Sequence, residues 1–202
     1  MKNVLEKESF HRFQFNNESK LVEKVHQTEA RKILKDAPIM WRRINSIGII
    51  LDCNSTYAAK LGFAKSEIIG KSIFEHVPKE SWSEMNDSLQ IWFETGEVSH
   101  QKIKFKKQDG KIFPVLLHAV SLYDEKENLL GSNTVIFDLE EINDEKIIEW
   151  QEYFKKAEIR LDEIGKDYQK FTENEKSEYD GLKKMFGLLS STDLKELKKI
   201  EK

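Results

Sequence analysis

Two groups of strand-like segments, separated by a run of small helices, constrain this chain more than any other feature. The first group is a hairpin, Trp41-Arg-Arg-Ile-Asn-Ser-Ile-Gly48 and then Ile49-Ile-Leu-Asp-Cys-Asn54, with turn chemistry from Asn45 to Gly48. Short helices are predicted next, over 55–61, 66–69, 72–76 and 81–95. Residues 98–106 alternate polar and apolar from Lys102 on, as a half-buried strand does. Gln108-Asp109-Gly110 then turns into a strand over 112–123, and residues 124–128 turn into another over 129–137. Strands on both sides of a helical cluster cannot form a parallel βαβ array. They close into one antiparallel sheet with the small helices on one face, an α+β architecture.

The residues of this stretch resemble those of a known family. Asn54-x-x-Tyr57-Ala58-x-x-Leu61-Gly62-Phe63, followed by Ser66-Glu67-Ile68-Ile69-Gly70-Lys71-Ser72, is similar to the first half of a PAS domain. Phe105-Lys-Lys-Gln-Asp109-Gly110-Lys, Tyr123-Asp124, Leu130-Gly131 and Phe137-Asp138-Leu139 resemble its second half, in the family's order. The resemblance implies a five-stranded PAS sheet over residues 37–142, cupping a small hydrophobic pocket. Helical extensions then occupy residues 1–36 and 143–202. It also implies a signal that leaves through Asp138, Leu139 and Glu140, with Asp138 anchoring the exit helix. Inward positions of the sheet and long helix make the expected pocket: Ile49, Leu51, Leu89, Trp92, Phe93 and Ile103, then Phe105, Val115, Leu117, Val135 and Phe137. The family holds haem, flavin, small acids or nothing in this pocket, so the ligand stays open.

The chain's 36 acidic and 33 basic residues leave no global field that would select nucleic acid or an anionic membrane. A single cysteine excludes an internal disulfide and a multi-cysteine metal site, and fits a reducing compartment. No apolar run approaches the length of a membrane span, and residues 1–20 lack the apolar core of a signal peptide. A cytoplasmic protein is expected.

The flanks are charged and helical. Asn16-Asn17-Glu18-Ser19 reads as a break and a cap before a helix over about 20–35 that Pro38 ends. This helix either covers the outer face of the sheet or forms a dimer. After the sheet, Ile147, Trp150, Phe154, Ala157, Leu161, Ile164, Tyr168 and Phe171 recur in alternating steps of 3 and 4, the seam of a coiled coil. Asn143 suits its N-cap, and Asp144 and Glu145 suit the positive end of its dipole. The next seam positions are Glu175 and Glu178, which a dry core accepts only when paired. Leu182, Met185 and Leu189 then resume the register. Thr172-x-x-Glu175 has the form of a capping box. Either one long helix with a wet interruption or a hairpin hinged over 171–174 satisfies this pattern. A seam of this length marks an interaction surface, so a homodimer is expected, centred on these helices or the N-terminal one. A last short helix is predicted over 193–200.

Chemistry-bearing residues are sparse. Cys53 closes a strand and reads as a small core residue. The Gly-x-Asn-Cys-Arg context that carries the reactive cysteine of flavin photosensors in the family is missing. Haem-binding relatives present their axial histidine from the long helix, which here contains none. Among the five histidines, His11 and His26 lie on charged flanks and His76 reads as a surface residue. His100 and His118 fall on strands, and His118 is the one a strand could aim into the pocket. Haem and flavin are therefore disfavoured, and no His, Cys or carboxylate pair has metal-ligand spacing. Phosphate loops, nucleophile elbows and a phosphoacceptor histidine after the sensor are all lacking, so no enzyme is expected. Lys102, Lys104, Lys106, Lys107 and Lys111 read as the solvent face of a strand and its turn. Residues 144–202 hold 13 basic and 15 acidic side chains, which argues against nucleic-acid contact there. The sequence thus supports a sensory module that relays a small-ligand or partner signal to an unidentified downstream protein. The alternative is a structural interaction module with a filled pocket.

Overall fold

A computed structural model of the chain describes residues 29–191. The proposed cap at 16–19, His11, His26 and the short helix over 193–200 lie outside these residues. Helix α1 (Glu29–Lys35) leads into strand β1 (Met40–Asn45), which turns tightly into β2 (Ile50–Cys53). The turn forms because the Asn45 side chain accepts from the backbone N–H groups of Ile47 and Ile49, at 3.1 and 2.9 Å. Helices α2 (Ser55–Leu61) and α3 (Lys65–Ile68), two 3₁₀ turns, and the long helix α4 (Trp82–Thr95) follow. Strands β3 (Glu97–Lys106), β4 (Ile112–Tyr123) and β5 (Leu129–Asp138) then complete one antiparallel sheet in the order β2-β1-β5-β4-β3.

Asn54 ties the opening of the fold together. Its Oδ1 accepts from Tyr57 N–H at 2.9 Å, capping α2, and from Trp41 N–H at 3.1 Å. Its Nδ2 donates to the carbonyls of Leu34, Ala37 and Ile39. One short amide thereby fixes the segment entering β1 against the end of β2.

Alternation along the strands gives the sheet two apolar faces. The inner face (Ile103, Phe105, Val115, Leu117, Ile136) packs on Tyr57, Leu61, Ile68, Met85 and Trp92. The outer face (Trp41, Leu116, Val120, Val135, Phe137) packs on α1 and on two C-terminal helices, α5 (Asp144–Gly165) and α6 (Glu173–Ser191). Each face holds fully buried large side chains, each worth roughly 1.5–3 kcal/mol of apolar transfer.

The C-terminal region is a helical hairpin laid across this outer face. Asn143 caps α5 by accepting from Lys146 N–H at 2.8 Å. Ile147, Trp150, Phe154, Ala157 and Leu161 are buried within the chain itself, and Ile164 is half-buried against the same core. The expected seam does not run on to Tyr168 and Phe171, because α5 ends at Gly165 and the chain reverses through a 3₁₀ turn at Tyr168–Lys170. The connection therefore runs over 166–172, overlapping the expected hinge at 171–174 but starting earlier. Gly165 lets the two helices approach closely at this end, because a Cβ on residue 165 would collide with Tyr179. Tyr168 and Phe171 stack on Tyr179 instead, at 5.4 and 5.8 Å between centroids. Thr172 and Glu175 form the expected capping box, with Thr172 N–H donating to Glu175 at 2.8 Å.

Glu178 is buried where α6 meets the sheet, and it pairs with Arg31 of α1 and Arg43 of β1. This cluster bolts the start and the end of the described chain to the outer face.

β3 is one of the two edge strands, with β2 at the other edge, and its Lys102, Lys104 and Lys106 are exposed. A bulge between Val98 and Gln101 breaks its register, with His100 at a φ of 56°. Among the described residues, no helix is long and apolar enough to cross a membrane.

Candidate functional site

A cavity of about 20 Å³ lies between α4 and the inner face of the sheet. It has room for a water or a group of very few non-hydrogen atoms. Its apolar wall includes Ile44, Ile73, Met85, Leu89, Trp92 and Leu117. Arg42, Ser132 and Thr134 of the sheet and Ser88 of α4 add polar groups to this wall. Trp92 is fixed there by donating Nε1–H to the Ser121 hydroxyl at 2.7 Å.

Arg42 is the unusual member. It is 2% exposed, on the inward side of β1 directly opposite Thr134. Its Nη1 donates to the Tyr57 hydroxyl at 3.2 Å, and Tyr57 lies 2.9 Å from His76 Nδ1. With Tyr57 receiving the arginine N–H, its own proton is available to His76 Nδ1 when the imidazole carries its proton on Nε2. Burial, with help from Arg42 and Lys106, pushes the His76 pKa down to about 4. The guanidinium lies over the Phe105 ring at 5.3 Å and the Tyr57 ring at 5.9 Å. Its buried Nε–H meets no acceptor. Among the described residues, no carboxylate pairs with it.

The structure distributes the expected pocket residues unevenly. Leu89, Trp92 and Leu117 line the cavity. Ile103, Phe105 and Val115 belong to the same inner core but not to the cavity wall. Ile49 is half-buried and bridges to Ser72. Leu51 and Phe93 are exposed, at 41% and 44%. Leu51 faces outward between the inward Ile50 and Cys53, and Phe93 stands a third of a turn from the inward Trp92. Val135 and Phe137 sit on the opposite face of the sheet. The register pairs Leu116 with Phe137 and His118 with Val135, so odd positions of β5 share a face with even positions of β4. His118 therefore points away from the cavity, edge-on to Phe137 at 5.8 Å. Burial, with His100 adding, lowers its pKa to about 3. His76, read as a surface residue, is 2% exposed.

Cys53 lies in the inner core, where burial first of all pushes its thiol up to about 11. At neutral pH it is a protonated core residue rather than a nucleophile. No cluster of three or more metal-binding side chains occurs among the described residues.

The exit from the sheet is tied at several points. Asp138 is buried, and its Oδ1 accepts from Glu140 N–H at 3.0 Å. Lys60 of α2 stands 3.5 Å from the other Asp138 oxygen and also pairs with Glu141. Glu140 pairs with Lys111 of the β3–β4 turn at 2.8 Å, and Leu139 is buried in the outer core.

A family model described as PAS fold matches residues 28–138. No curated protein matches the chain. A solved light-oxygen-voltage domain, studied with a flavin analogue, is 17% identical with a TM-score of 0.50; the match covers 66% of this chain and 97% of that one. A PAS domain from Colwellia psychrerythraea is 18% identical with a TM-score of 0.49, over 53% of this chain and 91% of the other. The PAS domain of a LuxR-family transcriptional regulator from Burkholderia thailandensis, solved with ethanol, is 21% identical with a TM-score of 0.47. That match covers 56% of this chain and 99% of the other. At these identities the likeness speaks to the fold alone.

Proposed function

The chain belongs to the PAS family, and from that premise we propose that it is a sensory module whose inner cavity takes a small ligand and whose C-terminal hairpin carries the response. One observation supports this reading above the rest. The strands that wall the cavity with Leu117, Ala119, Ser132 and Thr134 also hold the hairpin and α1 through the alternating residues Leu116, Val120 and Val135. A ligand that shifts β4 or β5 by a fraction of an ångström must therefore disturb the outer face, since packed faces do not deform independently. Asp138, Leu139 and Glu140 form the covalent route from β5 to α5.

In this proposal the output is read by another protein in the cytoplasm, and the chain does no chemistry of its own. A purely structural interaction module would favour an apolar, filled interior, and the buried Arg42 weighs against that alternative. The seam that suggests a homodimer is used within the chain, so two copies would have to meet through other surfaces. Sedimentation at micromolar concentration decides whether they do.

Filling the cavity tests the relay. Ala119→Val adds two methyl groups inside it, and hydrogen exchange of α6 should change several-fold. Exchange altered in α4 and the sheet but unchanged in α6 would refute the coupling.

A further inference from the structure

We infer that the cavity is a site for a small oxyanion, of the size of formate, held by Arg42. This rests on the reading of the cavity as a ligand site and gives it a chemistry. A guanidinium cannot shed its charge within a protein. A buried one without a carboxylate therefore carries an uncompensated desolvation cost, which the aromatic faces of Phe105 and Tyr57 offset only in part.

The geometry of what remains is specific. Tyr57 takes the Nη1 side of the fork, while Nε–H, on the other edge, meets no acceptor. The Nε–Nη2 edge is the one that binds a carboxylate side by side, through two parallel hydrogen bonds. Thr134 stands directly across the ladder from Arg42, and Ser132 and Ser88 also line the cavity, so three hydroxyls are available there to an anion held by the guanidinium. Among the described residues, the titratable side chain that joins this system through a hydrogen bond to Tyr57 is His76, which is neutral at pH 7 and brings no competing charge.

Volume sets the upper limit. With space of about 20 Å³, the cavity suits an anion of very few non-hydrogen atoms. Larger acids would have to displace Met85 or Leu89 from the wall.

The test titrates the full chain with sodium formate, with formamide as the neutral isostere and citrate as the large anion, at constant ionic strength. Binding is followed by NMR at the Arg42 Nε–H and the Thr134 and Ala119 methyl groups. Formate should bind at least ten-fold more tightly than formamide or citrate. Arg42→Gln should remove at least ten-fold of the formate affinity, with Arg42→Lys intermediate. The wild-type comparison stands without any variant, so a poorly folded mutant leaves it intact. Equal binding of formate and formamide would overturn the anion inference while leaving a ligand-binding module. So would an absence of formate binding at the cavity. Selective formate binding that leaves α6 exchange unchanged would uphold the anion site and refute the relay instead.

Discussion

Acid should destabilise this protein well above the pH at which its carboxylates titrate, because the fold buries two neutral histidines. His76 is held at about 4 and His118 at about 3, both chiefly by burial. In the unfolded chain each titrates near 6.5. Between pH 6.5 and about 4 the unfolded state thus binds protons that the folded state refuses, and stability falls as the pH falls. The penalty grows by about 1.4 kcal/mol per pH unit for each histidine. At pH 5 each has cost about 2 kcal/mol, or about 4 for the pair, against a typical domain stability of about 5–15. Carboxylates such as Asp52, kept low by Lys65 and Lys35 against the upward push of burial, add their own losses only nearer pH 4 and below. Urea unfolding at pH 7, 6 and 5 measures the effect. His118→Gln and His76→Gln should each remove about half of the slope. Stability that changes by less than about 1 kcal/mol between pH 7 and 5 would refute the assignment of both side chains as buried and neutral.

Removing one charge from a buried ion cluster costs about 3–5 kcal/mol, so Glu178→Ala, which takes from Arg31 and Arg43 the carboxylate they share, should lower urea stability by about that amount and release α6 first in hydrogen exchange. Asp138→Ala leaves Glu140 N–H without its acceptor and Lys60 with Glu141 alone, and should cost ~1–3 kcal/mol. Exchange should rise over residues 140–150 while 112–122 stay protected, and equal loss in both segments would make Asp138 a general stabiliser only. Gly131 has a φ of 151°, and a Cβ there would fall on the Ile44 carbonyl. Gly131→Ala should consequently break the β1–β5 pairing, and a circular dichroism melt indistinguishable from wild type would contradict that.

Much of this architecture is legible in the sequence because it rests on local rules. The capping residues Asn54, Asn143 and Thr172 stand where short polar side chains satisfy helix starts, and the Asn45–Gly48 turn follows from its composition. The seam from Ile147 to Leu161 follows from helical periodicity. What periodicity cannot give is the partner of an apolar stripe: the same spacing serves a second copy or the chain's own sheet. Pairing register is equally non-local. Val115 and Leu117 are inward on β4, but Val135 and Phe137 face outward because the ladder pairs odd with even positions. Arg42 could have been flagged by alternation, since it stands between the inward Met40 and Ile44. Nothing local distinguishes the strand's two adjacent arginines, and only tertiary structure separates the cavity residue from Arg43, the partner of Glu178.

The lysine-bearing edge of β3 has a bearing on how the protein behaves in a crowd. An edge strand offers unpaired backbone groups that another strand can copy, which is how sheets grow from one molecule into the next. Here the bulge at His100 interrupts the template. Beyond it, Lys102, Lys104 and Lys106 set a positive charge at every second position. A second β3 approaching edge to edge would bring two such rows together, and their repulsion opposes the pairing. The sheet thus ends at β3 in a form that does not offer this edge for fibre growth.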